Sequence, residues 1–320
     1  METHSRVTLA DVRDAAARIA AHAQVTPLLR SRSLDELSGA RLYFKCEQLQ
    51  RAGAFKFRGA CNAVWSLDED NARRGVVTHS SGNHGAALAL AAATRGIPAH
   101  VVVPEGAVKA KLAAIERNGA TLHHCAPTIA AREQTAERVR AETGASLVHP
   151  YADRRVIAGQ GTAGLELLQQ SGGLDVLIAP VGGGGLVSGC AIAVRGVDPS
   201  IAVYAAEPEG APDAYESFRR GERFTDITPN TIADGLRGSI GAINFALMQE
   251  HVRDVLPVSE AEIVAAMRLV WERLKQVIEP SSATALAAVL RHRAHFAGKR
   301  VGVVLSGGNV DLDALPWLSA

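Results

Sequence analysis

The sequence predicts an α/β fold with parallel-rich sheets covered by helices, and three observations carry that expectation. From residue 75 onward, short β-branched or apolar runs alternate with longer Ala-rich runs. Three glycine-containing stretches each follow a strand-like run, and no internal repeat or low-complexity segment breaks the rhythm. Parallel neighbours need long crossover connections, usually helical, so this alternation points to βα units rather than hairpins.

The elements follow in order. Thr8 with Asp11 makes a capping-box pattern at the head of the Ala-rich stretch Leu9 to Ala23, which Thr26-Pro27 ends. Val76 to Thr78 reads as a strand, His84 to Arg95 as a helix, Ala99 to Val103 as a strand and Val108 to Asn118 as a helix. The rhythm continues through Thr121 to Cys125, Thr128 to Thr143, Ser146 to Val148, Val156 to Gln170 and Asp175 to Ala179. Ile201 to Ala206 and Arg300 to Leu305 read as buried strands, with helices at Ser259 to Lys275 and Ser281 to Arg293 between them.

Composition narrows the function. The 320 residues are enough for two lobes, and 34 basic against 33 acidic residues leave a net charge of +1, so no overall field recruits nucleic acid or an anionic membrane. A small molecule is the expected partner. Cys46, Cys61, Cys125 and Cys190 are scattered and form no C-x-x-C pair, which points away from a disulfide framework or thiolate zinc site and toward a reducing cytoplasm. No signal-peptide pattern and no long apolar run is present, so neither secretion nor membrane spanning is expected.

The glycine stretches are Ser80-Ser81-Gly82-Asn83-His84-Gly85, Gly182-Gly183-Gly184-Gly185 and Ser306-Gly307-Gly308-Asn309. In open α/β sheets, ligands sit beyond the carboxyl ends of strands, where glycine lets backbone N–H groups approach an anion. The tetraglycine precedes a helix start near Leu186, a place where loop amides and the positive helix end can hold a phosphate. A tight structural turn is the alternative. A dinucleotide fingerprint fits poorly, because the third glycine position is Ser188, although Glu207 stands where a ribose-binding acid is expected. Lys56 lies between Phe55 and Phe57 and close to Arg58, a setting in which burial and the neighbouring cation would lower the amine's pKa for Schiff-base chemistry. A snorkelling surface lysine would have the same neighbours.

The segment Gly53 to Gly59, the Ser80 to Gly85 loop, the tetraglycine and the Ser306 to Asn309 loop occur in an order that resembles fold-type II pyridoxal-phosphate enzymes. More narrowly the chain resembles their serine racemase and serine/threonine dehydratase branch, from Thr26-Pro27-Leu28 to Val310-Asp311-Leu312. The resemblance implies a two-lobed, tryptophan synthase β-like architecture, with a discontinuous large domain (1–65 and 154–320), a small mobile domain (75–152) and a homodimer. It makes Lys56 the Schiff-base lysine, with Phe55 beside the cofactor ring and Asn83 on its phenolic oxygen. Gly182, Gly183, Gly184, Gly185 and Leu186 would hold the phosphate, and Ser306 would face the pyridine nitrogen. Ser80, Ser81, Asn83, His84 and Arg132 would meet the substrate. Glu207, the Ala211 carbonyl and Asp213 would bind Mg²⁺ or Ca²⁺ through hard oxygen ligands.

The expected reaction is removal of water and ammonia from an L-β-hydroxy amino acid: threonine, serine or a 3-substituted serine such as 3-hydroxyaspartate. Racemisation is the rival, because the resemblance places the Ser81 hydroxyl on the face opposite Lys56. A non-catalytic cofactor- or amino-acid-binding protein is a remote alternative. Tyr151 and Gly238 depart from vertebrate-type serine racemases, which carry small polar residues there; tyrosine adds bulk and glycine opens space, which favours threonine or a 3-substituted serine.

Overall fold

The protein, in a computed structural model, is described over residues 6–107 and 109–318. Among the described residues ten strands form two sheets: β1 (Leu28–Leu29), β2 (Arg41–Cys46), β3 (Val76–Thr78), β4 (Ala99–Pro104), β5 (Thr121–Cys125), β6 (Ser146–Leu147), β7 (Val176–Pro180), β8 (Ala202–Pro208), β9 (Asp254–Val258) and β10 (Arg300–Leu305). The larger sheet has the order β1-β2-β10-β7-β8-β9 and the smaller β5-β4-β3-β6. Among the described residues every pairing between these strands is parallel except that of β1 with β2.

Both faces of the larger sheet are buried. Val176 and Ile178 of β7 join one core with Phe44, Val301, Val303 and helix residues Leu286 and Val289, while Leu177 and Ala179 join a second with Val187, Cys190 and Val304. Two-sided burial explains why these strands read as continuous apolar runs. In the smaller sheet Val76, Val101 and Val103 face a core with Leu88 and Ala92, and Val77 and Val102 face another with Val139.

The expected elements are present with small shifts of boundary. Thr8 and Asp11 form the capping box, but the helix they start, Leu9–Ile19, stops before Ala23. The helix expected from Val108 is Lys109–Glu116, and Val108 itself lies outside the described residues. Ser259 caps the Glu260–Leu269 helix, which passes into a π-turn at Val270–Leu274. Sequence patterning missed β2, which pairs with both β1 and β10, because Arg41 and Lys45 break its apolar pattern.

Lys45 is fully buried, and its amine donates to Glu166 at 2.6 Å, Gln170 at 2.9 Å and the Thr26 carbonyl at 2.8 Å. Glu166 also receives Arg58 in two hydrogen bonds of 2.7 and 2.8 Å, and Arg58 grips Glu47 in two more of 2.7 and 2.8 Å. Arg58 therefore points away from Lys56 into a buried ion network, a correction to its expected influence on that amine. Removing Arg58 leaves Glu47 buried without a countercharge, while Glu166 keeps only Lys45, so Arg58→Ala should lower stability by about 3–5 kcal/mol in urea unfolding near neutral pH.

Candidate active site

The tetraglycine follows β7 and leads into the Gly185–Val197 helix. Gly184 has φ +90°, and no side chain caps the helix, so its first amides are left to another acceptor. The loop tolerates no side chains: a Cβ on Gly182 would stand 2.9 Å from Leu236 Cα, and one on Gly183 would stand 2.2 Å from the Tyr151 ring. Its carbonyl side is occupied, since Gly183 O accepts from the Asn244 amide at 2.5 Å and from Gly241 N at 3.2 Å. Leu186, in the first turn, is buried.

Lys56 opens the Lys56–Trp65 helix. Its amine donates to the Pro150 carbonyl at 3.0 Å and stands 5.1 Å from the centroid of the Phe55 ring. Burial lowers its pKa to about 8, partly opposed by the negative charge of Glu279. Of the two causes expected, burial and a cationic neighbour, burial alone lowers it.

Phe55 N donates to Ser306 O at 3.0 Å, and Ala54 bridges Gly307, which brings the Lys56 segment against the β10 loop. Ser306 is 3% exposed. Asn83 opens the Asn83–Arg95 helix after β3, and its amide donates to Glu279 at 3.0 and 3.2 Å. Lys56, Phe55, Asn83, Ser306 and the tetraglycine are thus joined through Pro150, Tyr151, Glu279 and Gly307.

Ser80 and Ser81 are half-buried on the loop between β3 and that helix. His84 is buried: its Nε2 is 3.4 Å from Val148 O, its Nδ1 has no partner among the described residues, and burial followed by the charge of Lys56 keeps the ring neutral. Arg132 sits in the first turn of the Ile129–Thr143 helix with a buried Nε that lacks a hydrogen-bond partner among the described residues, and its charge acts on His79. A cavity of about 410 Å³ opens along the same helix, lined by His79, Glu133, Leu147 and His149 among others but not by Arg132.

Three residues went unnoticed in the sequence. Glu279 ends a loop with no motif around it, yet it contacts Asn83 and acts on Lys56. Pro150 contributes only a carbonyl. His149 accepts the backbone N–H of Tyr151 at 3.3 Å and of Ala152 at 3.0 Å on Nδ1, and burial takes its pKa down to about 4. Those bonds, with Asn244 donating to Tyr151 O at 3.0 Å, hold the Tyr151 backbone. The ring packs on Gly183, and a Cβ on Gly238 would lie 3.6 Å from its edge. The space expected at Gly238 is therefore partly refilled by Tyr151.

Glu207, Ala211 and Asp213 form a separate buried group at the end of β8. Glu207 accepts from the amides of Ala214 at 2.9 Å and Tyr215 at 2.8 Å, and Asp213 accepts from Ile240 N at 2.6 Å. Burial and then the charge of Asp213 push Glu207 well above the usual carboxylate range, and burial takes Asp213 to about 6. No group of three or more His, Cys, Asp or Glu arranged to hold a metal occurs among the described residues; this set has two carboxylates and a carbonyl.

An enclosed amine of lowered pKa, a side-chain-free loop at an uncapped helix start and a buried serine hydroxyl are the parts an aldehyde-bearing pyridine phosphate requires. The family model for pyridoxal-phosphate dependent enzymes matches residues 19–307, and the chain belongs to that family. Within it the chain stands in the serine racemase and serine/threonine dehydratase branch. It is 50% identical to the beta-hydroxyaspartate dehydratase of Paracoccus denitrificans (strain Pd 1222), over 97% of this chain and 98% of that protein. The serine racemase of Dictyostelium discoideum is 49% identical, over 98% of each chain. A crystal structure of the Dictyostelium serine racemase superposes with a TM-score of 0.92 at 50% identity, covering 96% of this chain and 99% of that one. The crystal structure of a T.th. threonine deaminase gives a TM-score of 0.90 at 43% identity, covering 95% of this chain and 99% of that one.

Only the neutral amine of Lys56 attacks an aldehyde. The rate at which apoprotein takes up pyridoxal phosphate, followed by visible absorbance, should climb through about pH 8 and level off above it. Lys56→Ala should abolish the uptake, and a rate flat with pH would contradict the assigned amine.

Proposed function

We propose that this chain eliminates water from L-β-hydroxy amino acids, 3-hydroxyaspartate foremost, and that uptake of one water by the resulting enamine then releases ammonia and the 2-oxo acid. The observation that carries it is the Lys56 amine, lowered by burial to a pKa of about 8 and linked through Pro150 and Tyr151 to the tetraglycine loop. Bound pyridoxal phosphate would supply the electron sink that acidifies the substrate's α-carbon. Gly182, Gly183, Gly184, Gly185 and Leu186 would hold its phosphate, Asn83 its phenolic oxygen and Ser306 its pyridine nitrogen, with Phe55 beside the ring. A serine there leaves the nitrogen less charged than an acidic residue would, which favours prompt loss of the β-hydroxyl over a long-lived carbanion.

Lys56 takes the α-proton, and the amides of the Ser80 to His84 loop bind the substrate carboxylate. Arg132 suits a second carboxylate on the substrate, having a charge and a buried Nε free to donate. The name of the Paracoccus relative, at 50% identity, supports the same substrate, as does the Tyr151 ring set against Gly238.

Residues 75–152 would form the small lobe around the β5-β4-β3-β6 sheet, and residues 1–65 with 154–320 the large one. Among the described residues no helix is long and apolar enough to cross a membrane, and all four cysteines are buried free thiols, which supports a cytoplasmic setting. The homodimer is proposed on the family resemblance.

Racemisation is the second reading, supported by Ser81 and by the serine racemases among the relatives. It needs the α-carbon reprotonated on the face opposite Lys56, whereas elimination from an L-substrate does not. Purified protein given L- and D-forms of serine, threonine and 3-hydroxyaspartate should form 2-oxo acid and ammonia fastest from a 3-hydroxyaspartate. Ser81→Ala should depress D-enantiomer formation by ~10²-fold or more while leaving L-elimination much less affected. Equal losses would assign Ser81 to binding alone.

Glu207, Asp213 and the Ala211 carbonyl are proposed to bind Mg²⁺ or Ca²⁺, since a cation would relieve two buried carboxylates. Exhaustive chelation should lower the melting temperature, because an ion bound only by the folded state stabilises it by mass action. An unchanged melting temperature in a sample shown to be metal-free would remove the site.

A further inference from the structure

The Ser306-Gly307-Gly308-Asn309 turn contains one polar side chain with no task in the function proposed above. Asn309 Nδ2 donates to the Ala52 carbonyl at 2.8 Å and to Asn83 Oδ1 at 2.9 Å. A backbone carbonyl only accepts, so the Asn309 amide must turn its nitrogen this way, and the Asn83 atom it meets must be the oxygen. The Asn83 nitrogen is thereby sent to the other side, where Glu279 accepts from it at 3.0 and 3.2 Å. The usual ambiguity of an amide flip is removed by one carbonyl two contacts away.

The backbone is bent to provide that carbonyl. Ala52 has φ +59°, one of two non-glycine residues with positive φ among the described residues, a conformation that persists only where its surroundings enforce it. Gly53 follows at φ +72°, and a Cβ on it would stand 2.3 Å from Asn309 Oδ1. Gly308 N donates to Gly53 O at 2.9 Å, tying the two turns together.

We propose that Asn309 is a positioning residue: anchored on Ala52, it sets the Asn83 amide so that one N–H is held by Glu279 and the other is presented to the phenolic oxygen of the cofactor. This rests on the pyridoxal-phosphate reading of the site. Glu279 shares the task, and its charge also opposes deprotonation of the nearby Lys56 nitrogen, which neutral His84 and His149 face as well.

The test uses holoenzyme, with cofactor affinity by equilibrium dialysis and the pH midpoint of the cofactor's visible band as readouts. Asn309→Asp keeps shape but cannot donate to Ala52 or Asn83, so the Asn83 amide turns its oxygen toward Glu279 and the ring. We expect about tenfold weaker cofactor binding and a displaced midpoint, as for loss of a hydrogen bond to a charged group, with Asn309→Ala similar. Glu279→Gln should move the midpoint to lower pH, because the charge that holds the proton on the Lys56 nitrogen is gone. Unchanged affinity and midpoint in both Asn309 variants, or a change in Asn309→Ala alone, would overturn the proposal and leave a space-filling turn residue. Should Asn309→Asp fail to fold, Asn309→Ala and Glu279→Gln with wild-type behaviour would overturn it equally. Wild-type protein that binds no pyridoxal phosphate would instead refute the reading of the whole site.

Discussion

The ion network of Lys45, Glu47, Arg58 and Glu166 fixes the helix that carries Lys56. Arg58 lies two residues beyond Lys56 on the same helix, and its guanidinium is clamped by two carboxylates, one from the turn after β2 and one from the Arg154–Ser171 helix. Buried charges are tolerated only when they are paired and hydrogen-bonded, so this cluster allows few alternative arrangements of the three elements. The first turn of the Lys56–Trp65 helix is thereby fixed, and with it the direction in which the Lys56 amine leaves the backbone. A network that adds little net stability can still specify one geometry.

Around that anchor, the site divides its work between charge and backbone. Positive charge is kept away from Lys56: Arg58 is neutralised by its partners, and His84 and His149 are held neutral by burial. The amine is tuned by desolvation and tempered by one carboxylate, Glu279. The proposed anion sites use main-chain groups, at the start of the Gly185–Val197 helix and of the Asn83–Arg95 helix, neither of which is capped by a side chain. Tyr151 then joins the two halves, its backbone following the Pro150 carbonyl that receives Lys56 and its ring resting on Gly183.

Much of this was legible in the sequence. Periodicity and capping residues located β3, β5, β10 and the Asn83–Arg95 and Ile129–Thr143 helices to within a residue or two, because those elements are stabilised by local pattern and by burial of whole apolar runs. The glycine stretches marked the strand ends at which the proposed cofactor and substrate loops lie, and the family resemblance singled out Lys56. What was lost has a common cause. β2 carries Arg41 and Lys45, and its buried lysine is acceptable only because Glu166, 121 residues away, meets it. Arg58 looked like a neighbour of Lys56 because the two are close in sequence, whereas successive side chains on a helix point in different directions.

The sequence by itself determined the α/β class, the strand and helix order, and the residue types able to form a Schiff base and cradle a phosphate, since these follow from local pattern and from chemistry a residue carries wherever it lies. Only the tertiary structure decided how those residues are tuned. Glu279 stands 196 residues from Asn83 and has no motif to announce it, yet it accepts that amide's hydrogen bonds and bears on the Lys56 charge. The Tyr151 ring fills against Gly183 and Gly238 a space that two separate substitutions in the sequence described as bulk and vacancy. Desolvation, amide orientation and steric fit depend on what surrounds a group in three dimensions, and a linear order of residues does not contain that information until the chain has folded.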